Sequence, residues 1–210
     1  MSDIEYTIYD NVFQSNDKIL EDLKLQLQHA GPIFNSKKND NKRCQCNLKI
    51  TKTNKDLVET LTKFIKTLNP ELTPSSWVLI KSKPGCKEQL AHIDYENTEE
   101  FQKCINEGKN VPLLVLVALQ PNTYIYLWKN SSKIIQETYK GEHVLPTKLE
   151  LKEGEILVFR ADLVHAGSDY EEENIRMHCY LDSPVVKRNK NRTYIISKHG
   201  NEYMNKNICV

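Results

Sequence analysis

Glycine and proline are scarce in this chain, seven and eight residues among 210, which excludes collagen-like and low-complexity architectures. Net charge of one sign is missing as well: 29 Lys and Arg face 28 Asp and Glu, a formal +1 at pH 7. No bulk field draws phosphate, so the simplest case for a general nucleic-acid or membrane binder falls away. Long apolar runs are absent. The longest, residues 111–119, contains Pro112 and falls far short of the roughly 20 residues that a bilayer-crossing helix needs. The start, Met1-Ser2-Asp3-Ile4-Glu5, is acidic and has no basic region ahead of an apolar stretch, which argues against a secretory leader. Six cysteines (Cys44, Cys46, Cys86, Cys104, Cys179 and Cys209) follow no framework spacing. Reduced thiols in a cytoplasmic or nuclear compartment are therefore expected. Cys44-x-Cys46 has half of a zinc-site spacing, but no second pair follows it.

What remains is a soluble globular composition, 39% hydrophobic with a mean hydropathy of −0.58. The length predicts one domain with a self-sufficient core. Its parts divide into a mainly helical support over residues 1–75, a β core over 76–183 and a C-terminal extension over 184–210. Ser15, Asn16 or Asp17 caps a helix with Ile19, Leu20, Leu23 and Leu27 on one stripe, and Gly31-Pro32 ends it. Residues 35–47 read as a polar, partly basic surface loop. A second helix over 54–68 places Leu57, Leu61, Phe64, Ile65 and Leu68 at helical spacing. Short β-rich runs follow at 77–80, 113–119, 124–128 and 156–159, with a helix over 99–107 closed by Gly108. In the run 175–181, Arg176, His178 and Tyr180 face one way while Ile175, Met177, Cys179 and Leu181 face the other. The expected class is α+β, a double-sheet β core buttressed by N-terminal helices.

Two segments carry chemistry. In Gln89-Leu90-Ala91-His92-Ile93-Asp94-Tyr95, residues two apart share a face of extended chain, so His92 and Asp94 converge on one point. In the second, the apolar run 156–159 leads through a turn to His165-Ala166-Gly167. Two histidines and one carboxylate on a β scaffold form the facial triad of non-haem Fe(II), which leaves coordination positions open for a co-substrate and dioxygen. Arg176, eleven residues beyond His165 on the next strand, is expected to point into the same cavity from one strand over. Its planar fork of donors suits a carboxylate, the far end of a dicarboxylate that chelates iron through its 2-oxo-acid end. His178 is placed to bond that carboxylate or to border the substrate. Tyr124, Tyr126 and Trp128 alternate on one strand face that is core or sheet surface, or else Tyr124 or Tyr126 bonds the co-substrate or the rings line the substrate pocket.

The stretches QLAHIDY, GEILVFRADLVHAGSDYEEENIRMHCYLD and, more loosely, VPLLVLVALQPNTYIYLWKNSSK resemble the Fe(II)/2-oxoglutarate-dependent dioxygenase superfamily in its phytanoyl-CoA-hydroxylase-like and prolyl-hydroxylase-like members. The likeness covers about residues 77–182. It implies a double-stranded β-helix, a cupin-like jelly-roll. It also implies His92, Asp94 and His165 as iron ligands and Arg176 as the 2-oxoglutarate anchor. Fe(II), 2-oxoglutarate and O2 would serve hydroxylation of a substrate, with release of succinate and CO2. Where those relatives carry a Ser-His-type turn, this chain reads Asn130-Ser131-Ser132.

Plainer readings stand beside these. His92 and Asp94 alone suit a surface pair, His165 a satisfied turn histidine, and Arg176 a salt bridge to Glu171, Glu172 or Glu173. His29, His143 and His199 show no partner pattern. The basic run Lys187-Arg188-Asn189-Lys190-Asn191-Arg192 is a solvated surface or a phosphate-contacting strip. The rival functions are a cupin-like metal enzyme without 2-oxoglutarate, which would not need Arg176, and a non-catalytic jelly-roll interaction module. Loops over 96–110 and 129–146 are expected to choose the substrate, for which the reading inclines to a macromolecular side chain or base over a small metabolite.

Overall fold

The computed structural model describes residues 5–34, 42–131, 145–190, 192–197 and 200–205. Its elements begin with β1 (Tyr6–Tyr9), α1 (Asp17–Gln26), β2 (Gly31–Pro32), β3 (Arg43–Asn47), α2 (Lys55–Leu68), β4 (Thr73–Pro74) and β5 (Val78–Ser82). Next come β6 (His92–Ile93), α3 (Glu99–Glu107), β7 (Leu113–Ala118), β8 (Thr123–Trp128) and β9 (Thr147–Leu151). The chain closes with β10 (Ile156–Arg160), β11 (Val164–Gly167), β12 (Asn174–Asp182), β13 (Arg192–Ser197) and β14 (Gly200–Asn205).

Local chemistry sets the helix ends. Asn16 accepts from the Ile19 N–H at 3.0 Å to start α1. Thr98 does the same for Phe101 at 3.3 Å to start α3, and Gly108 stops α3 with φ +63°, a left-handed geometry that glycine adopts without strain. In α2 the stripe of Leu57, Val58, Leu61 and Ile65 is buried, each side chain contributing roughly 1.5–3 kcal/mol relative to exposure.

The strands form two antiparallel sheets. The first runs β1-β10-β7-β12-β5-β3-β2, with β4 beside the end of β12; the second runs β14-β13-β6-β11-β8-β9. One face of the first sheet packs on α1 and α2, where Leu79, Val117, Ile175, Met177 and Cys179 meet Leu23, Leu61 and Ile65. Its other face, with Leu114, Leu116, Leu157 and Phe159, meets Ile125, Leu127 and Leu151 of the second sheet. This layering explains why β7 and β10 read as unbroken apolar runs: both of their faces are buried. The alternation expected in β12 is present, with Met177 and Cys179 toward the helices and Tyr180 toward the second sheet.

Several segments depart from the sequence expectation. The first third is not simply helical. β1 pairs with β10, and residues 43–47, expected in a loop, form β3 against β5. Arg43-Cys44-Gln45-Cys46-Asn47 has no β-branched residue to announce a strand; its ladder comes from the partner, and Arg43 and Gln45 turn inward. Beyond the expected core, β13 pairs with both β14 and β6 and joins the second sheet. The expected helix over 99–107 is present as α3 within the 96–110 rim segment, with Phe101 and Cys104 buried. His143, His199, Cys209 and most of the expected 129–146 rim lie outside the described residues. Among the described residues no helix is long and apolar enough to cross a membrane.

Candidate metal centre

Strands β6 and β11 are neighbours in the second sheet, and His92 stands directly opposite His165 in their register. The imidazole centroids are 4.5 Å apart. Three contacts shape the turn that delivers His165. Arg160 grips Asp162 through Nε and Nη2, both at 2.9 Å. The Leu163 N–H donates to the Arg160 carbonyl, and the Val164 N–H donates to Ser131 Oγ at 2.7 Å. Ser131, noted in sequence only as a departure, thus pins the start of β11. At the far end, the Gly167 N–H donates to Gln89 Oε1, and a Cβ at position 167 would lie 2.5 Å from that oxygen.

Both histidines are set in the same way. His92 Nδ1 lies 2.6 Å from the Leu90 carbonyl and His165 Nδ1 3.0 Å from the Leu163 carbonyl. A carbonyl only accepts, so Nδ1 carries a proton in each ring, which leaves Nε2 as the nitrogen available to a metal. Asp94 completes the set: its Oδ2 is 3.8 Å from His165 Nε2, and the three ligand atoms all lie within 4.8 Å of one another. All three side chains are buried. Tyr180 donates its hydroxyl to Asp94 Oδ2 at 2.6 Å, and Thr193 donates to Oδ1 at 2.8 Å. Burial, then the Asp94 charge, pushes the Tyr180 phenol far above its usual range, so it stays a donor. Two imidazoles and one oriented carboxylate fit a divalent transition metal in a facial set. Cys44 and Cys46, on β3, belong to no such cluster among the described residues.

The three residues line a cavity of about 100 Å³ between the sheets. Arg176 lines it too, but from the first sheet. The expected place one strand over is corrected: β11 and β12 lie in different sheets, so Arg176 lines the cavity from the sheet opposite the histidines. Its Nη1 donates to Ser82 Oγ at 2.9 Å and to Asn174 Oδ1 at 3.3 Å, and its guanidinium stands 5.2 Å from the Tyr170 ring centre. Glu173, a candidate partner for Arg176, lies beside Lys81 instead, at 3.9 Å. His178 borders the cavity, half-buried and edge-on to Tyr180.

The tyrosine stripe of β8 divides. Ile125 and Leu127 take the interior, leaving Tyr124, Tyr126 and Trp128 half-buried on the other face. Tyr124 contributes to the cavity wall, although its ring lies against Lys148 and Tyr170. Tyr126 is corrected to the outside of the sheet, where its hydroxyl donates to Asp169 at 3.1 Å. Hydrogen bonds from Lys148, Ser168 and Tyr126 hold the Asp169 carboxyl down, at about 2 instead of 3.8. A depressed carboxylate pKa stabilises the fold above 3.8 and loses that stabilisation as the pH falls toward 2. The group is half-exposed, so Asp169→Asn is expected to lower stability at pH 7 by less than ~1 kcal/mol. The difference from the wild-type melting temperature should close on acidification; a gap independent of pH contradicts the assignment.

The basic run 187–192 is also corrected. Lys187 and Lys190 are exposed, but Arg188 is folded inward against Tyr180 and Asp182 and Arg192 is half-buried at the start of β13. Among the described residues of the run there is no continuous exposed strip. The sequence reading passed over Thr193, Gln45 and Gln89 at the cavity and Arg188 behind it. The signal for Tyr180 was present, since the alternation through Arg176 and His178 reaches it two residues on.

No family model and no curated protein sequence matches the chain. Solved structures do. A Pseudomonas putida prolyl-4-hydroxylase superposes with a TM-score of 0.60 at 8% identity, over 85% of this chain and 92% of that one. HygX from Streptomyces hygroscopicus, with nickel and 2-oxoglutarate bound, gives 0.58 at 12%, over 85% and 83%. A Trichoplax adhaerens prolyl hydroxylase, in complex with a hypoxia inducible factor oxygen degradation domain peptide fragment, gives 0.58 at 12%, over 85% and 84%. The chain has the fold of these proteins.

Proposed function

We propose that the chain is an Fe(II)- and 2-oxoglutarate-dependent dioxygenase, a double-stranded β-helix enzyme that hydroxylates its substrate. One observation carries the reading: His92, Asp94 and His165 converge on one wall of a cavity whose opposite wall bears Arg176. Either half alone has a bland explanation; together they match a metal and a small dicarboxylate. The 2-oxoglutarate and nickel in HygX, on the same fold, support it.

In this reading the two Nε2 atoms and an Asp94 oxygen would hold iron, which would stay open to a co-substrate and dioxygen. Arg176 donates to the far carboxylate of 2-oxoglutarate, pre-aimed by Ser82 and Asn174. His178 and Tyr124 border the co-substrate. Bound iron with 2-oxoglutarate supplies the oxidising power: of the two atoms of dioxygen, one ends in succinate and the other in the substrate, with loss of CO2. The chain's own work is to bind, orient and keep water out, through the apolar walls of Leu114, Leu116 and Phe159. The cavity is small, so the bulk of the substrate stays at the mouth and only the target group enters. That suits a side chain or base presented by a macromolecule, and the peptide bound by the Trichoplax enzyme supports a protein side chain.

The test is substrate-free turnover of 2-oxoglutarate with Fe(II) and ascorbate. Succinate should form slowly with the wild type and not with His165→Ala. Equal succinate from both, or none from an iron-loaded wild type, contradicts the proposal.

A further inference from the structure

Behind Asp94 the structure builds a second layer that the metal centre does not by itself require. Tyr180 donates to Asp94 Oδ2, the oxygen that lies 3.8 Å from His165 Nε2 and so faces the metal position. On the other side of the phenol, the guanidinium carbon of Arg188 sits 3.7 Å from the ring centre. Arg188 is itself anchored: Nε and Nη2 reach the two oxygens of Asp182 at 3.0 and 3.4 Å, and Tyr95 donates to Asp182 Oδ1 at 2.6 Å. The Arg188 side chain is only 6% exposed, so water screens this contact little.

A cation over an aromatic face is attracted by the ring quadrupole and in turn draws electron density from the ring. For a phenol, that makes the hydroxyl a stronger donor. Hydrogen bonds to the atoms behind a metal ligand fix its orientation and tune its basicity, and their loss typically weakens metal binding. We infer that Arg188 is a positioning residue of the metal centre. Stacked on Tyr180, it holds the ring and strengthens the hydroxyl's bond to Asp94, and through that bond it sets the affinity for a divalent metal. The inference rests on the His92–Asp94–His165 reading and adds to it a residue that touches neither metal nor substrate. A purely structural role, pinning residues 183–190 to the core, would cost stability without acting through Tyr180.

The two roles separate in a double-mutant cycle on the full chain. Anaerobic Co(II) titrations are followed by visible ligand-field absorption, beside the metal-free melting temperature of each variant. Tyr180→Phe and Arg188→Met are each expected to weaken Co(II) binding roughly tenfold, the low end for such supporting partners. Arg188→Lys, which keeps a cation over the ring, should recover most of the loss. In the Tyr180→Phe background, Arg188→Met should add less than about twofold, because the path to Asp94 is already cut. If Arg188→Met does not fold, Arg188→Gln makes the same comparison. Wild-type affinity in the Arg188 variants, or an equal loss in both backgrounds, overturns this inference and leaves the metal centre standing. A wild type that binds no Co(II) overturns the metal centre and the inference with it.

Discussion

His165→Ala is expected to weaken divalent-metal binding about 300- to 8,000-fold, taking one of three ligands' share of a total binding energy on the order of 10–16 kcal/mol. The loss is specific because the ring is set by the chain: Nδ1 is committed to the Leu163 carbonyl, Phe159 stands edge-on at 5.1 Å, and Nε2 faces Asp94. Alanine also opens a buried cavity in β11, so the metal-free protein should lose some stability. The informative quantity is therefore the rise in melting temperature on adding metal. A ligand at 100 times its Kd stabilises the folded state by about 2.7 kcal/mol, which the wild type should show and His165→Ala should not. His29→Ala, at an exposed position far in sequence from the cluster, should keep the whole rise. An undiminished rise in His165→Ala would remove the histidine from the ligand set.

Arg176→Met should leave metal affinity intact and weaken 2-oxoglutarate binding about 30- to 5,000-fold, since breaking a buried, hydrogen-bonded charge pair costs roughly 2–5 kcal/mol. The guanidinium is 4% exposed and held by Ser82, Asn174 and the Tyr170 ring, so little ordering remains to be done on binding. Methionine fills similar space without charge. Arg176→Lys keeps the charge but loses the fork and the ring contact, and should fall between the two. Isothermal titration of 2-oxoglutarate into the metal-loaded protein measures this directly. Loss of metal binding in Arg176→Met, or unchanged 2-oxoglutarate affinity, would contradict the role given to Arg176.

Legibility in the sequence followed the range of the contacts. Helix α2, a cap for α1 among Ser15, Asn16 and Asp17, the Gly108 stop and the two-faced strand β12 depend on neighbours a few residues away, and spacing alone revealed them. His92 and Asp94 were readable for the same reason, lying two apart on one extended segment. His165 and Arg176 were readable from their setting, but the route between them was not. An eleven-residue gap is compatible with a hairpin or a crossover, and only the two-sheet topology chooses the crossover. Contacts made across the fold left little local trace. Thr193 reaches Asp94 over 99 positions of sequence, and it belongs to a strand that follows a basic run. Arg188 sits in that run, where composition suggests solvent; its burial comes from Tyr180 and Asp182 and not from its neighbours in the chain. β3 was hidden because a strand without β-branched residues is held by its pairing alone. In β8 the alternation was visible, but not which face would be inward, because tyrosine and tryptophan suit a half-buried surface as well as a core.

The central claim is that one cavity holds both a metal and a 2-oxo dicarboxylate. The most direct test is an anaerobic absorbance titration of the full chain with Fe(II) and 2-oxoglutarate, with Arg176→Met alongside. The account predicts a visible metal-to-ligand charge-transfer band that requires both components and is weakened in the variant at matched concentrations. Fe(II) bound with no such band, or a band of equal strength in Arg176→Met, would contradict it.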